Sequence, residues 1–189
     1  MEIIDKQATI DWCKKRNILL SSSNKIQVSF NNKKCIKVDL LIYPLRIIYL
    51  ALVLTDLLNK ENDKDNFEGG LICITQTDIV GPPIETIGLT VINRLRGVDE
   101  IKTLEKFPGN LFTNEESLNT TIFFYNTMIF AWDSFWLPES GEYFVFKSHD
   151  DNIYIFSKDP GNLKNIISIL QQEKFDITEI DIPDYLLRK

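Results

Sequence analysis

The sequence predicts a single α+β domain, a mainly antiparallel sheet packed against several helices. Three observations carry that reading. The last third of the chain holds three short apolar runs joined by turn-forming residues, the pattern of a strand meander. Near the N-terminus, two further segments have the form of a hairpin, with apolar side chains alternating in the first. Between these regions, apolar residues recur at helical spacing. At 189 residues, 44% of them hydrophobic and 25% charged, the chain can bury one substantial core and is short for two. Residues 1–189 are therefore read as one unit.

Residues 5–17 carry Ala8, Ile10 and Trp12 at loose helical spacing and predict a short helix, ended by the polar stretch 21–24. Ile26, Val28 and Phe30 then alternate with Gln27 and Ser29, the period-two mark of a half-buried strand. Asn31 and Asn32 suit a tight turn, because Asn tolerates left-handed backbone angles. Cys35 or Ile36, Val38 and Leu40 continue as a second strand, so this pair is expected to form the hairpin. Tyr43 and Pro44 mark a helix start, Pro being tolerated in a first turn. That helix runs to about Asn59 and is apolar nearly all round, which predicts a central, buried helix.

Residues 60–70 are polar and end in Gly69 and Gly70, a loop; residues 71–75 read as a strand. A helix is expected over residues 84–96, closed by Gly97, and a turn at 107–109. Thr113, Asn114, Glu115 and Glu116 look like a helix N-terminus with acids where the macrodipole favours them. The helix that follows runs to about Ala131. Strands over 134–137, 143–147 and 153–156 form the meander, with turns at 138–141 and 149–152. Asp159, Pro160 and Gly161 open a helix over 163–174, and residues 176–189 form a short acidic tail.

Charge and composition narrow the function classes. The net charge is −6, although residues 1–40 hold eight Lys or Arg against four Asp or Glu. The remaining acidic majority repels phosphate backbones and steers basic partners inward, so nucleic-acid binding is disfavoured. Glu2, Asp5, Lys6 and Asp11 interrupt the first fifteen residues, which lack the apolar centre of an export signal. Residues 40–58 are apolar but broken by Pro44, Arg46 and Asp56, against the roughly 20 residues a membrane span needs. A cytoplasmic protein without membrane attachment is expected. Cys13, Cys35 and Cys73 are widely spaced and odd in number, with no paired-cysteine motif, and read as reduced core thiols.

No catalytic constellation, metal site or cofactor is expected. The chain has one histidine, His149, so zinc sites and Ser–His or Cys–His nucleophile pairs lack partners. Gly69 and Gly70 precede a strand rather than follow one, the wrong order for a phosphate-binding loop. Glu100 and Lys102 share the spacing of some metal-dependent nucleases, a spacing common by chance. Asp133, Glu139 and Glu142 are acids near aromatic residues, so a carboxylate-dependent hydrolase stays open as an alternative, as does an oligomeric scaffold. The meander itself crowds Trp132, Phe135, Trp136, Tyr143, Phe144, Phe146, Tyr154 and Phe156 among acids. Either helices cover both faces of that sheet, or one ring-bearing face such as that of Phe144 and Phe146 looks outward and binds a basic protein. The positions singled out for partner binding are Asp133, Trp136, Glu139, Glu142, His149, Asp150 and Asp151.

An aromatic-rich helix precedes Ala131, Trp132 and Asp133. The run from Tyr143 through Phe144, Val145, Phe146, Lys147, Ser148, His149 and Asp150 to Asp151 follows, then a strand and a helix. Over about residues 120–172 this order resembles the small bacterial immunity proteins of polymorphic-toxin systems. The resemblance implies an acidic, cytoplasmic, one-domain α+β protein that inhibits without catalysis, its acidic and aromatic side chains covering the basic active-site cleft of a cognate toxin. It leaves the oligomeric state open.

Overall fold

The structure, a computed structural model, describes residues 1–20, 26–28, 33–40, 43–57, 69–76, 84–97, 106, 108–113, 115–130, 132–148 and 151–183. In chain order its elements are β1 (Glu2–Ile4), α1 (Lys6–Lys14), β2 (Ile18–Leu20), β3 (Ile26–Val28), β4 (Lys34–Asp39), α2 (Pro44–Leu57) and β5 (Gly70–Gln76). There follow α3 (Ile84–Leu95), β6 (Gly109–Phe112), α4 (Ser117–Ile129), β7 (Asp133–Pro138), β8 (Tyr143–Ser148), β9 (Asn152–Ser157), α5 (Pro160–Gln172) and β10 (Ile177–Asp181). Eight strands form one sheet in the order β1-β6-β5-β7-β8-β9-β4-β10, while β2 and β3 form a small second sheet. Every pairing in both sheets is antiparallel. The α+β class and the β7–β8–β9 meander are as expected.

Local chemistry accounts for the helix ends. Asp5 caps α1, its Oδ1 accepting from the Ala8 N–H at 2.8 Å, and Asp159 caps α5 in the same way, accepting from Gly161 N–H at 2.9 Å. Pro160 supplies the first residue of α5, where its missing N–H costs nothing. Gly97 closes α3 with φ +67°, the left-handed angle that glycine adopts without strain. The C-terminus of α5 closes with Lys174 at φ 58° and Phe175 N–H bonded back to Leu170 O at 2.9 Å. That reversal sends the chain straight into β10.

Both faces of the large sheet are covered. On one face Ile36, Val38, Ile72, Ile74, Trp136, Val145, Ile153 and Ile155 pack with Leu50 and Leu54 of α2, Phe123, Phe124 and Met128 of α4, and Leu163, Ile166 and Leu170 of α5. On the other, Cys35, Leu71, Cys73, Phe135, Leu137, Phe144, Phe146, Tyr154 and Phe156 pack with Cys13 of α1 and Ile18 and Leu20 of β2. All six residues of β8 are buried. Continuous apolar runs rather than strict alternation are what a sheet covered on both sides requires.

Four expectations are corrected. The hairpin between residues 26–30 and 35–40 does not form: β3 pairs with β2, while β4 inserts between β9 and β10. Remote strands with well-matched apolar faces outcompete the local turn. The tail after residue 176 is not merely acidic, since β10 extends the sheet through the pairs Ile177–Val38 to Asp181–Lys34. No acid lies in the first turn of α4; Glu115 and Glu116 precede it. Finally, α2 is buried on one side only, with Tyr43, Leu45, Tyr49 and Leu52 exposed on the other. The expected turn at Asn31 and Asn32, the loop over 60–68 and the segment holding Glu100 and Lys102 lie outside the described residues.

Candidate functional site

The meander carries the singled-out residues to two opposite ends of the sheet. Asp133 opens β7 and Glu139 follows its last residue. Six steps at about 3.3 Å per residue separate them by about 20 Å, beyond the roughly 5–9.5 Å of the carboxyl pairs that cleave glycosidic bonds. Asp133 therefore forms no catalytic pair with Glu139. His149 and Asp150 lie outside the described residues.

Trp136 is corrected outright, because it lies in the core and offers no surface to a partner. Its neighbours Ile72 on β5 and Val145 on β8 flank it in register. The Phe124 ring of α4 lies over it, with ring centroids 6.1 Å apart. The rings of Phe135, Phe144 and Phe156 are likewise buried on the opposite face, with centroids 5.4 and 5.5 Å apart. An outward-looking face bearing Phe144 and Phe146 is thus ruled out.

At the end holding Glu139 and Glu142, the carboxylates are matched by cations. Arg16 Nε donates to Glu139 O at 2.8 Å, its Nη2 pairs with the Glu139 carboxylate, and its guanidinium lies 3.4 Å over the Trp12 ring. Glu142 pairs with Lys158 Nζ at 3.6 Å. Gly141, at φ +66°, brings the turn against the Arg16 side chain. These contacts pin α1 to the β7–β8 turn, which is a structural duty.

The opposite end gathers carboxylates from distant parts of the sequence. Asp133 opens β7, Asp151 precedes β9, Asp39 ends β4 and Asp176 precedes β10. Backbone hydrogen bonds tie three of them in a row: Leu40 N–H donates to Asp151 O at 3.0 Å, and Asp39 N–H to Asp176 O at 3.3 Å. Asp39, Asp151 and Asp176 are exposed, Asp133 half-buried. Lys37 pairs with Asp39 at 2.9 Å and the buried Lys147 with Asp151 at 3.7 Å. The sequence reading missed Asp39 and Asp176, which come from segments that only the fold makes neighbours.

Soon after β4 the chain enters α2, with Tyr43 70% exposed at its start. Arg46 Nη2 donates to the carbonyls of Glu173 and Lys174 at 3.1 and 2.8 Å, and its guanidinium sits 4.2 Å over the Phe175 ring. Tyr49 stacks on Phe175 with centroids 6.0 Å apart and donates its hydroxyl to the Glu173 carboxylate, which pushes the phenol pKa up. The signal for this surface was present in the sequence: a helix apolar on every side has more apolar surface than one sheet face can take up.

The three cysteines are buried free thiols. Burial pushes the pKa of Cys13 and of Cys35 up to about 12 and that of Cys73 well up. A buried, protonated thiol is a poor nucleophile.

The fold and this end of it describe a two-faced antiparallel sheet whose rim carries anionic groups at β7, β9, β4 and β10. Comparison of the chain with family models, curated proteins and solved structures found no match to any of them. Among the described residues no helix is long and apolar enough to cross a membrane.

Proposed function

We propose that this chain is a non-catalytic protein-binding domain of the bacterial cytoplasm, an immunity-type inhibitor that covers the basic active-site cleft of a toxin. The observation that carries the reading is the row of carboxylates at one end of the sheet, Asp133, Asp151, Asp39 and Asp176. Asp133 and Asp39 lie within strands, and backbone hydrogen bonds from Leu40 and Asp39 to the carbonyls of Asp151 and Asp176 hold those two residues beside the end of β4. Lys37 and Lys147 pair with Asp39 and Asp151, which leaves the row an excess of carboxylates over cations. A positioned anionic row loses little conformational freedom on binding and speeds encounter with a cationic surface. The net charge of −6 adds to that steering. Tyr43, beside the row in sequence and largely exposed, has the character of an interface anchor, a ring with one polar end.

The test is binding and inhibition of the toxin domain encoded beside this gene. Calorimetry of the two purified proteins is expected to give a one-to-one complex, with toxin activity lost in proportion. Reversing Asp151 and Asp176 to Lys should slow association at least tenfold at low salt and flatten its salt dependence. Glu139→Gln, at the other end, should leave association unchanged. No heat of binding with a folded toxin domain, or equal loss from both ends, would rule the reading out.

A further inference from the structure

We propose that the open edge of β10 takes up a further antiparallel strand, supplied by an extended basic segment of the partner protein. The toxin-binding reading is the basis, and strand addition names the element on each side that makes the join.

β10 is the last strand of the eight-stranded sheet, and β4 is its neighbour there. Its register fixes which backbone groups look outward. Asp39 N–H donates to Asp176 O at 3.3 Å, and Ile182 N–H to Lys33 O at 2.9 Å. Hydrogen-bonded and non-hydrogen-bonded pairs alternate in an antiparallel ladder, so Asp176, Thr178, Ile180 and Ile182 turn their N–H and C=O groups to β4. Ile177, Glu179 and Asp181 turn theirs away from the sheet. Among the described residues no backbone group meets these three from outside. They form a ready template for one more strand. The opposite edge offers less, because β1 has three residues and runs through Asp5 into α1.

Natural sheets blunt an open edge with lysine, proline or a bulge. Across Ile177–Asp181 there is no lysine, no proline and no shift of register. Glu179 and Asp181 are there instead, both exposed, and they select the occupant. Two copies of β10 in full antiparallel overlap would set Glu179 against Glu179, and like charges directly opposite destabilise a sheet. A basic strand meets no such penalty. Lys34 pairs with Asp181 at 2.7 Å, which leaves Glu179 and Asp176 as the carboxylates that a partner meets. Asp176 is the last member of the anionic row, so the edge begins where the row ends. A partner strand with Lys or Arg opposite Glu179, and an apolar residue two positions later opposite the half-buried Ile177, matches both side chains on that face.

Amide exchange followed residue by residue by NMR tests the proposal. In the free chain the amides of Ile177, Glu179 and Asp181 should exchange fast, and those of Thr178, Ile180 and Ile182 slowly, because the latter donate to β4. Adding the toxin domain encoded beside this gene should slow the first three about tenfold or more. Glu179→Pro removes an outward N–H and leaves the bonds to β4 in place. It should keep the parent's urea midpoint and raise the dissociation constant about tenfold or more. Glu179→Gln keeps that N–H, so it should weaken binding less, and only at low salt. Slow exchange of the three amides in the free chain would overturn the proposal, as would protection that grows with the concentration of this chain alone. A complex that leaves the three amides fast, or that tolerates Glu179→Pro, would overturn strand addition and spare the anionic row. No complex at all would remove the toxin reading and strand addition with it.

Discussion

Replacing Trp136 separates a core residue from a contact residue and tests two opposed contributions at one site. Trp136 is fully buried between β5, β8 and α4. Truncation to Ala should cost about 3–5 kcal/mol, the usual range for a large buried aromatic, out of a total stability of roughly 5–15 kcal/mol. Trp136→Phe is a different experiment. It leaves a void of about 40 Å³, worth about 1 kcal/mol at the measured cost per volume, plus a smaller transfer loss. It also removes an indole N–H that has no hydrogen-bond partner among the described residues. Relieving a buried, unsatisfied donor returns about 1–3 kcal/mol. The two contributions nearly cancel, so the Phe variant should lie within about 1 kcal/mol of the parent. Urea unfolding followed by far-ultraviolet circular dichroism reads both, with the slope unchanged if only stability moves. An Ala variant as stable as the parent would refute the burial. A Phe variant as unstable as the Ala variant would refute the unsatisfied donor. Neither should change affinity for a toxin partner while the fold persists.

Further outcomes follow from the buried thiols, the α4 start and one glycine. Native protein should react with a thiol reagent slowly at Cys13, Cys35 and Cys73, and all three should react at once in urea; one fast native thiol would refute the raised pKa values. Burial pushes the Glu116 carboxyl up, but bonds from the Met1 ammonium, the Thr113 N–H and the Thr113 hydroxyl outweigh it and hold the pKa below its ordinary value. That contribution is present above the ordinary carboxylate range and is lost as pH falls through the folded pKa. Glu116→Gln should therefore destabilise at neutral pH, and its urea midpoint should converge with the parent's in acid. At Gly70, with φ +153°, an added Cβ would lie 2.6 Å from Leu137 O and 2.8 Å from Pro138 Cα. Gly70→Ala should cost more than about 2 kcal/mol and lower the calorimetric Tm by about 4–8 °C or more.

What the sequence made legible is what local chemistry decides. The β7–β8–β9 meander was readable because short turns bound each apolar run, α5 because Asp159 and Pro160 announce it, and α3 because Gly97 stops it. What depends on distant partners was not. The turn signal at Asn31 and Asn32 promised a hairpin, but β4 finds better-matched neighbours in β9 and β10. In β10, Ile177 joins the helix-side core and Ile180 the opposite one, so no single period-two stripe betrays the strand. Trp136 shows the same difficulty at the site. A strand rich in rings reads alike whether one face meets a partner or both meet the protein's own helices. Asp133 and Asp151 were singled out separately, Asp133 beside Glu139 and Glu142 and Asp151 beside His149 and Asp150, and the sheet brings the two to one end. Asp39 and Asp176 join them only through sheet order, which spacing along the chain does not encode.

The position of β4 bears on how the molecule is made. More than a hundred residues separate Asp39 from Asn152, its first partner in the sheet. At a synthesis rate of about 5–20 residues per second, that strand waits on the order of ten seconds on the ribosome before β9 emerges. Through that interval Cys35, Ile36 and Val38 have neither neighbour to shield them, and such long-range closure is intrinsically slow. Lys33, Lys34 and Lys37 put like charges along this segment, and like charges oppose the pairing of an unpaired strand with a copy of itself.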